Sequence, residues 1–128
     1  MNEGLRELIA TLNSRGDDAN RAIHLAAEPL VGAGVPFWSK RHFMVSKEEG
    51  KAYLGYDKSG DAGWGFVVKS RPMALPRIIP LLSCSREVRI RAAAALPAFL
   101  REYVQNLRSI VAGLPDEPQG DSRKGVTR

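Results

Sequence analysis

The chain has 128 residues, 44% hydrophobic and 26% charged, with a formal net charge of +5. A single ordinary globular domain of this size buries roughly two-thirds of its unfolded surface. The lone cysteine, Cys84, excludes an intrachain disulfide and a cysteine-rich zinc site. No apolar run approaches the ~18 residues needed to cross a bilayer. The opening "MNEGLRELIA" has no basic stretch ahead of an apolar block, so neither a membrane span nor a secretory leader is expected. The expected location is cytoplasmic.

Charge is unevenly spread. Residues 1–34 hold three basic and five acidic side chains, residues 35–71 seven and four, and residues 72–114 six and two. The last fourteen are balanced, three against three. The basic excess therefore lies in the folded middle and C-terminal half, not in a basic tail.

Near the N-terminus, Leu5, Leu8, Ile9 and Leu12 recur at helical spacing, as do Ala19, Ala22, Ile23, Ala26 and Leu30. "NSRGDD" lies between the two sets. Gly16 there can end one helix, and Asp17 or Asp18 can cap the next. The spacing 5, 8, 12, 15, 19, 22, 26 also suits one long helix with Arg15 at a seam position, but two helices, or one kinked helix, are preferred, ending at "GAGVP" (Gly32 to Pro36).

The period then changes. "HFMVS" (His42 to Ser46), "AYLGY" (Ala52 to Tyr56) and "WGFVV" (Trp64 to Val68) are short β-type runs separated by turn-like segments. They predict a three-stranded antiparallel meander. Asp57, Ser59 and Asp61 in "DKSGDAG" share a calcium-loop spacing. However, Ala62 and Val68 stand where such a loop needs glycine and glutamate, so a hairpin turn is expected.

"SRPMALPRIIPLL" reads as a proline-rich connector. Ser85 then suits an N-cap, with Glu87 in the first turn. Ala93, Leu96, Leu100, Tyr103, Leu107, Ile110 and Leu114 step by three and four, which predicts a long amphipathic helix kinked or restarted at Pro97. Residues 115–128 have Val126 as their one apolar anchor and are expected to be a disordered tail behind a 1–114 domain.

The whole is α+β: α–βββ–α, a three-stranded antiparallel meander covered by N-terminal helices and a long C-terminal helix. Over roughly residues 20–105 this order resembles the topology of double-stranded-RNA-binding domains, whose second helix is also basic. Two marks of those domains are missing. There is no glycine-proline turn between the first strands, and sixteen residues, Ser70 to Ser85, separate the third strand from the last helix.

Candidate sites follow from side-chain chemistry. At ~100° per residue, Arg86, Arg101 and Arg108 fall on one flank of the C-terminal seam, while Arg89 points partly into it. They could track phosphates, reinforced by Lys69, Arg71 and Arg77. The preferred reading is structural: long stems that trim an apolar edge and pair with the acidic N-terminal region. Aromatic residues crowd the sheet among lysines, and alternation puts Tyr53 and Tyr56 on opposite faces. Tyr53 or Trp38 on an open sheet face would make a stacking platform or a protein hot spot.

Cys84, just before a helix, could have a depressed pKa, but a half-buried structural thiol is the better account. His24 and His42 lie far apart, and no metal-ligand spacing appears. No catalytic residue, metal or cofactor is expected, and the protein is read as non-enzymatic. It is expected to be a protein–protein interaction or self-association module, partnered by another protein or a homodimer. The alternative is a nucleic-acid-binding module using the basic connector and C-terminal helix. The binding residues singled out are Trp38, Tyr53, Lys69, Arg71, Arg86, Arg101 and Arg108.

Overall fold

The computed structural model describes residues 2–46, 50–70 and 78–115. A helix, α1 (Asn2–Ala27), leads through a short 3-10 turn into strands β1 (Phe37–Ser46), β2 (Gly50–Ser59) and β3 (Gly63–Ser70). After the connector come β4 (Ile78–Pro80) and a second helix, α2 (Arg86–Ala112). The class is α+β, as the hydrophobic periods require. The sheet has four strands rather than three, antiparallel in the order β1-β2-β3-β4. The added strand comes from the proline-rich segment. Pro80 is tolerated opposite Val67 because β4 is an edge, where a missing N–H costs no ladder bond. The expected tail lies, apart from Pro115, outside the described residues, as does Arg71.

The N-terminal segment is one helix, not two. Gly16 does not end it. An ideal Cβ there would stand 2.7 Å from Cδ of Arg86, so glycine lets the start of α2 approach α1. Helix α1 ends at Ala27 in a 3-10 turn over Glu28–Leu30, and beyond it Gly32 and Gly34 take positive φ of 84° and 64°, which β-carbon-bearing residues resist. Ser85 caps α2 as expected, its Oγ accepting from the Val88 N–H at 3.4 Å. Pro97 lies inside an uninterrupted α2, on its exposed side.

The core sits between the helices and one face of the sheet. Ala52, Leu54 and Tyr56 of β2 point into it, with Phe66 and Val68 of β3. Ile23 of α1 and Val88, Ala92, Leu96, Phe99 and Tyr103 of α2 close over them. Phe37, Tyr56, Phe66, Phe99 and Tyr103 form one aromatic cluster with ring centroids 5.6–6.0 Å apart. Such pairs add stabilisation beyond their buried area, about 0.5–1.5 kcal/mol each. Two phenols tie the chain after α1 to this cluster. Tyr56 donates to the Leu30 carbonyl at 3.2 Å and Tyr103 to that of Val35 at 2.8 Å. Burial pushes both phenol pKa values up.

Contacts run in the same order along the two helices. Asn13 and Gly16 meet Arg86 at the start of α2, and the segment after α1 meets Tyr103 farther along. The helices are therefore parallel and staggered, and each overhangs the other at one end. The overhangs set the candidate sites.

Candidate functional site

Helix α1 keeps one face throughout. Gly16, Ala19 and Ile23 are buried on it, against α2 and the sheet. One to three turns earlier the same face carries Leu5, Leu8, Ile9 and Leu12, and all four are exposed, Leu8 by 70%. An apolar stripe at i, i+3, i+4 and i+7 normally lies on a core. Here nothing in the chain's described residues covers it.

Helix α2 mirrors this at its other end. Val104, Ile110, Val111 and Leu114 are exposed, and Leu107 is half-buried. Beside them a groove of about 560 Å³ is lined by Ala98, Leu100, Val104, Glu102 and Gln105 together with Arg41, Arg101 and Arg108. Val104 and Arg108 also line an adjoining apolar hollow with Leu107 and Val111.

Arg41 reaches this groove because β1 is irregular. Between Trp38, opposite Gly55, and His42, opposite Tyr53, β1 carries two more residues than β2. Ser39 turns inward in that bulge, and its hydroxyl donates to both Glu102 carboxylate oxygens at 3.1 and 3.2 Å. The Lys40 N–H donates to Glu102 Oε1 at 3.3 Å, and the Arg41 N–H to Ser39 Oγ at 3.1 Å. Glu102 thus fastens the bulge to α2, and among the described residues no other acid reaches the three arginines. Among the described residues, none of the three has a hydrogen-bond or ion-pair partner.

The singled-out residues divide into separate places. Arg101 and Arg108 line the groove. Arg86 shares their flank, but its guanidinium donates to Asn13 Oδ1 of α1. Trp38, Tyr53 and Lys69 sit on the sheet face opposite the core. There the Trp38 ring lies so close on Gly55 that a Cβ would stand 2.5 Å from it. Trp38 Nε1 donates to Asp57 at 3.3 Å, and the Lys69 ammonium is 4.8 Å from the ring centroid. Tyr53 faces His42 edge-on at 6.3 Å. This set is satisfied largely within itself and does not join the arginine groove.

Other candidates resolve as scaffold. Asp57 to Gly63 closes the β2–β3 hairpin through a 3-10 turn at Gly60–Ala62. The Cys84 thiol is half-buried and donates to the Pro80 carbonyl at 3.6 Å. Burial pushes its pKa up, with Arg89 pulling partly back, so the depressed value a helix N-terminus suggests is not found. Arg89 also donates to the Cys84 carbonyl at 2.7 Å. The grooves that hold His24 and His42 are lined by other residues than Cys84. Among the described residues no three metal-ligating side chains come together, and no helix is long and apolar enough to cross a membrane.

Arg41 was missed in the sequence because its role depends on a bulge. The one local sign was the polar "SKR" after Phe37 and Trp38, which breaks strand alternation. Comparison with family models, curated proteins and solved structures finds no match for the chain.

Proposed function

We propose that the protein acts by binding rather than catalysis, as a self-associating interaction module that pairs through the overhang of α1. The observation that carries this reading is the symmetry of the exposed stripe. Leu5, Leu8, Ile9 and Leu12 are disposed evenly about a point between Leu8 and Ile9. Two copies crossing antiparallel there would set Leu5 against Leu12 and Leu8 against Ile9. Every apolar residue would meet an apolar residue. The positions beside the stripe also suit a twofold: Gly4 would face Asn13, and Arg6 and Thr11 stand at its outer edges, while Glu3 and Glu7 lie on the back of the helix. No like charges would be opposed. An isologous interface needs this self-complementarity.

Stability argues in the same direction. A short helix without tertiary support is marginal in water, and Gly4 weakens it further. A partner on the stripe supplies the missing core. The proposal places the complex in the cytoplasm, in keeping with the single unpaired cysteine.

The test is sedimentation of the full chain over a concentration series, beside Leu8→Glu. The wild type is expected to shift from monomer to dimer on the order of micromolar concentration. Leu8→Glu should stay monomeric and keep the circular dichroism of the folded domain, losing at most the helical signal of the overhang. A wild type that sediments as a monomer at roughly 100 µM would sink the reading.

A further inference from the structure

The arginine groove on α2 lies at the opposite end of the helix pair from the α1 stripe, and it has a different chemistry. Arg86, Arg89 and Arg91 are each engaged, by Asn13, the Cys84 carbonyl and Glu87. Among the described residues Arg101 and Arg108 are not, and the bulge of β1 brings Arg41 to the same groove. The one carboxylate among its described lining residues, Glu102, is already committed to Ser39 and the Lys40 N–H. The floor is aliphatic, and through Val104 it continues into the hollow with Leu107 and Val111.

We propose that this surface docks an acidic amphipathic helix of a partner protein. Its apolar face would cover Val104, Leu107 and Val111, and its carboxylates would meet Arg41, Arg101 and Arg108. The dimensions agree. Arg101 and Arg108 are seven residues apart on α2, about 10.5 Å along the axis, so carboxylates two turns apart on an aligned helix match them. Guanidinium groups bind carboxylates in a planar two-point fork, which gives orientation as well as attraction.

The lining favours this partner over a single-stranded nucleic acid. A single strand needs aromatic faces on which bases stack, and neither hollow has one. Of the sheet's aromatics, Trp38 and Tyr53 lie on the far face, and the exposed Trp64 stacks on Tyr56 and lines a separate hollow. An aliphatic floor with a cationic rim is what an acidic helix complements.

The experiment is fluorescence anisotropy on the full chain with three labelled probes. One is a helical peptide of leucine and glutamate, its leucines at alternating three- and four-residue spacing. The second replaces glutamate by glutamine, and the third is an oligothymidine. The leucine–glutamate peptide is expected to bind with a Kd on the order of 10 µM, and the glutamine version roughly tenfold more weakly. Arg101→Gln/Arg108→Gln should lose roughly tenfold or more, and Val104→Asp likewise. Arg86→Gln and Leu8→Glu should bind as the wild type does.

Thermal melting of each variant confirms folding, and Arg108→Gln alone serves if the double variant melts early. The idea is overturned if the peptide does not bind at low salt or if oligothymidine binds more tightly. Equal loss in Arg86→Gln would show a merely diffuse charge effect and overturn it too. Loss in Leu8→Glu would move the peptide to the α1 stripe, with the same consequence.

Discussion

The arginines of α2 divide at Pro97. Before it, Arg86, Arg89 and Arg91 each hold a partner within the chain. After it, Arg101 and Arg108 face a groove with none among the described residues. Residue type and helix flank do not explain the difference, since Arg86, Arg101 and Arg108 share a flank. Parallel stagger does. Helix α1 runs beside the start of α2 and ends before its second half. The same displacement leaves α1 buried at Gly16, Ala19 and Ile23 and bare at Leu5 to Leu12. Covered and uncovered halves thus differ in context, and each should respond differently to the same substitution.

The largest contrast is expected along α1. Ile23→Ala removes a side chain that is 2% exposed and leaves a cavity, at a cost of about 2–5 kcal/mol. Leu8→Ala on the same face should change monomer stability by no more than about 0.5 kcal/mol. Urea denaturation at low protein concentration measures both. Similar costs would mean that the overhang is covered within the monomer.

The sheet offers the next contrast, between two glycines that point the same way. Gly55 lies under the Trp38 ring, whereas a Cβ on Gly65 would meet nothing within 4 Å. Gly55→Ala must displace the ring and is expected to cost about 1–3 kcal/mol. Gly65→Ala should be neutral or gain roughly 0.5 kcal/mol from reduced chain entropy. Near-ultraviolet circular dichroism reports the cause, because only the first substitution should alter the tryptophan bands.

These contrasts also separate what was legible in the sequence from what was not. Helix α2 was legible because a long step of three and four leaves one solution and Ser85 has cap chemistry. The opposite facing of Tyr53 and Tyr56 was legible because a strand alternates. The fourth strand was hidden by prolines that an edge tolerates. The continuity of α1 was hidden because Gly16 resembles a stop. Its reason for being glycine is Arg86, far along the chain. Of the site, the arginine flank could be drawn on a helical wheel, but its division could not. Pairing with Asn13, the arrival of Arg41 and the diversion of Glu102 are all long-range.

A smaller effect should appear at alkaline pH. Burial raises the Tyr56 and Tyr103 phenol pKa values above the ordinary value near 10, and the Cys84 thiol shifts upward too. For groups that lose a proton, a raised folded-state pKa means that the unfolded chain releases protons first. Their contribution is complete below the unfolded values and falls as pH rises through them toward the folded ones. Stability should therefore decline from the ordinary thiol range upward, with the steeper loss in the phenol range. Tyr103→Phe should flatten the phenol part while losing the bond to Val35. Urea midpoints between neutral and alkaline pH give the slope, and an unchanged slope in Tyr103→Phe would place the titration elsewhere.

The smallest effect returns to α2 and bears directly on the division at Pro97. Arg86→Gln gives up a hydrogen bond to Asn13 and the stem packed on Gly16. Because both side chains reach solvent, about 0.5–1 kcal/mol is expected. Arg91→Gln breaks an exposed pair with Glu87 and should cost no more than about 0.5 kcal/mol. Arg101→Gln and Arg108→Gln remove no partner among the described residues, and relief of like-charge crowding with Arg41 should make them neutral or slightly stabilising. The order Arg86, Arg91, then Arg101 and Arg108 is thus the stability order expected of a helix whose first half is clamped. If Arg101→Gln instead costs as much as Arg86→Gln, its guanidinium has a partner within the fold, and the groove is part of the scaffold.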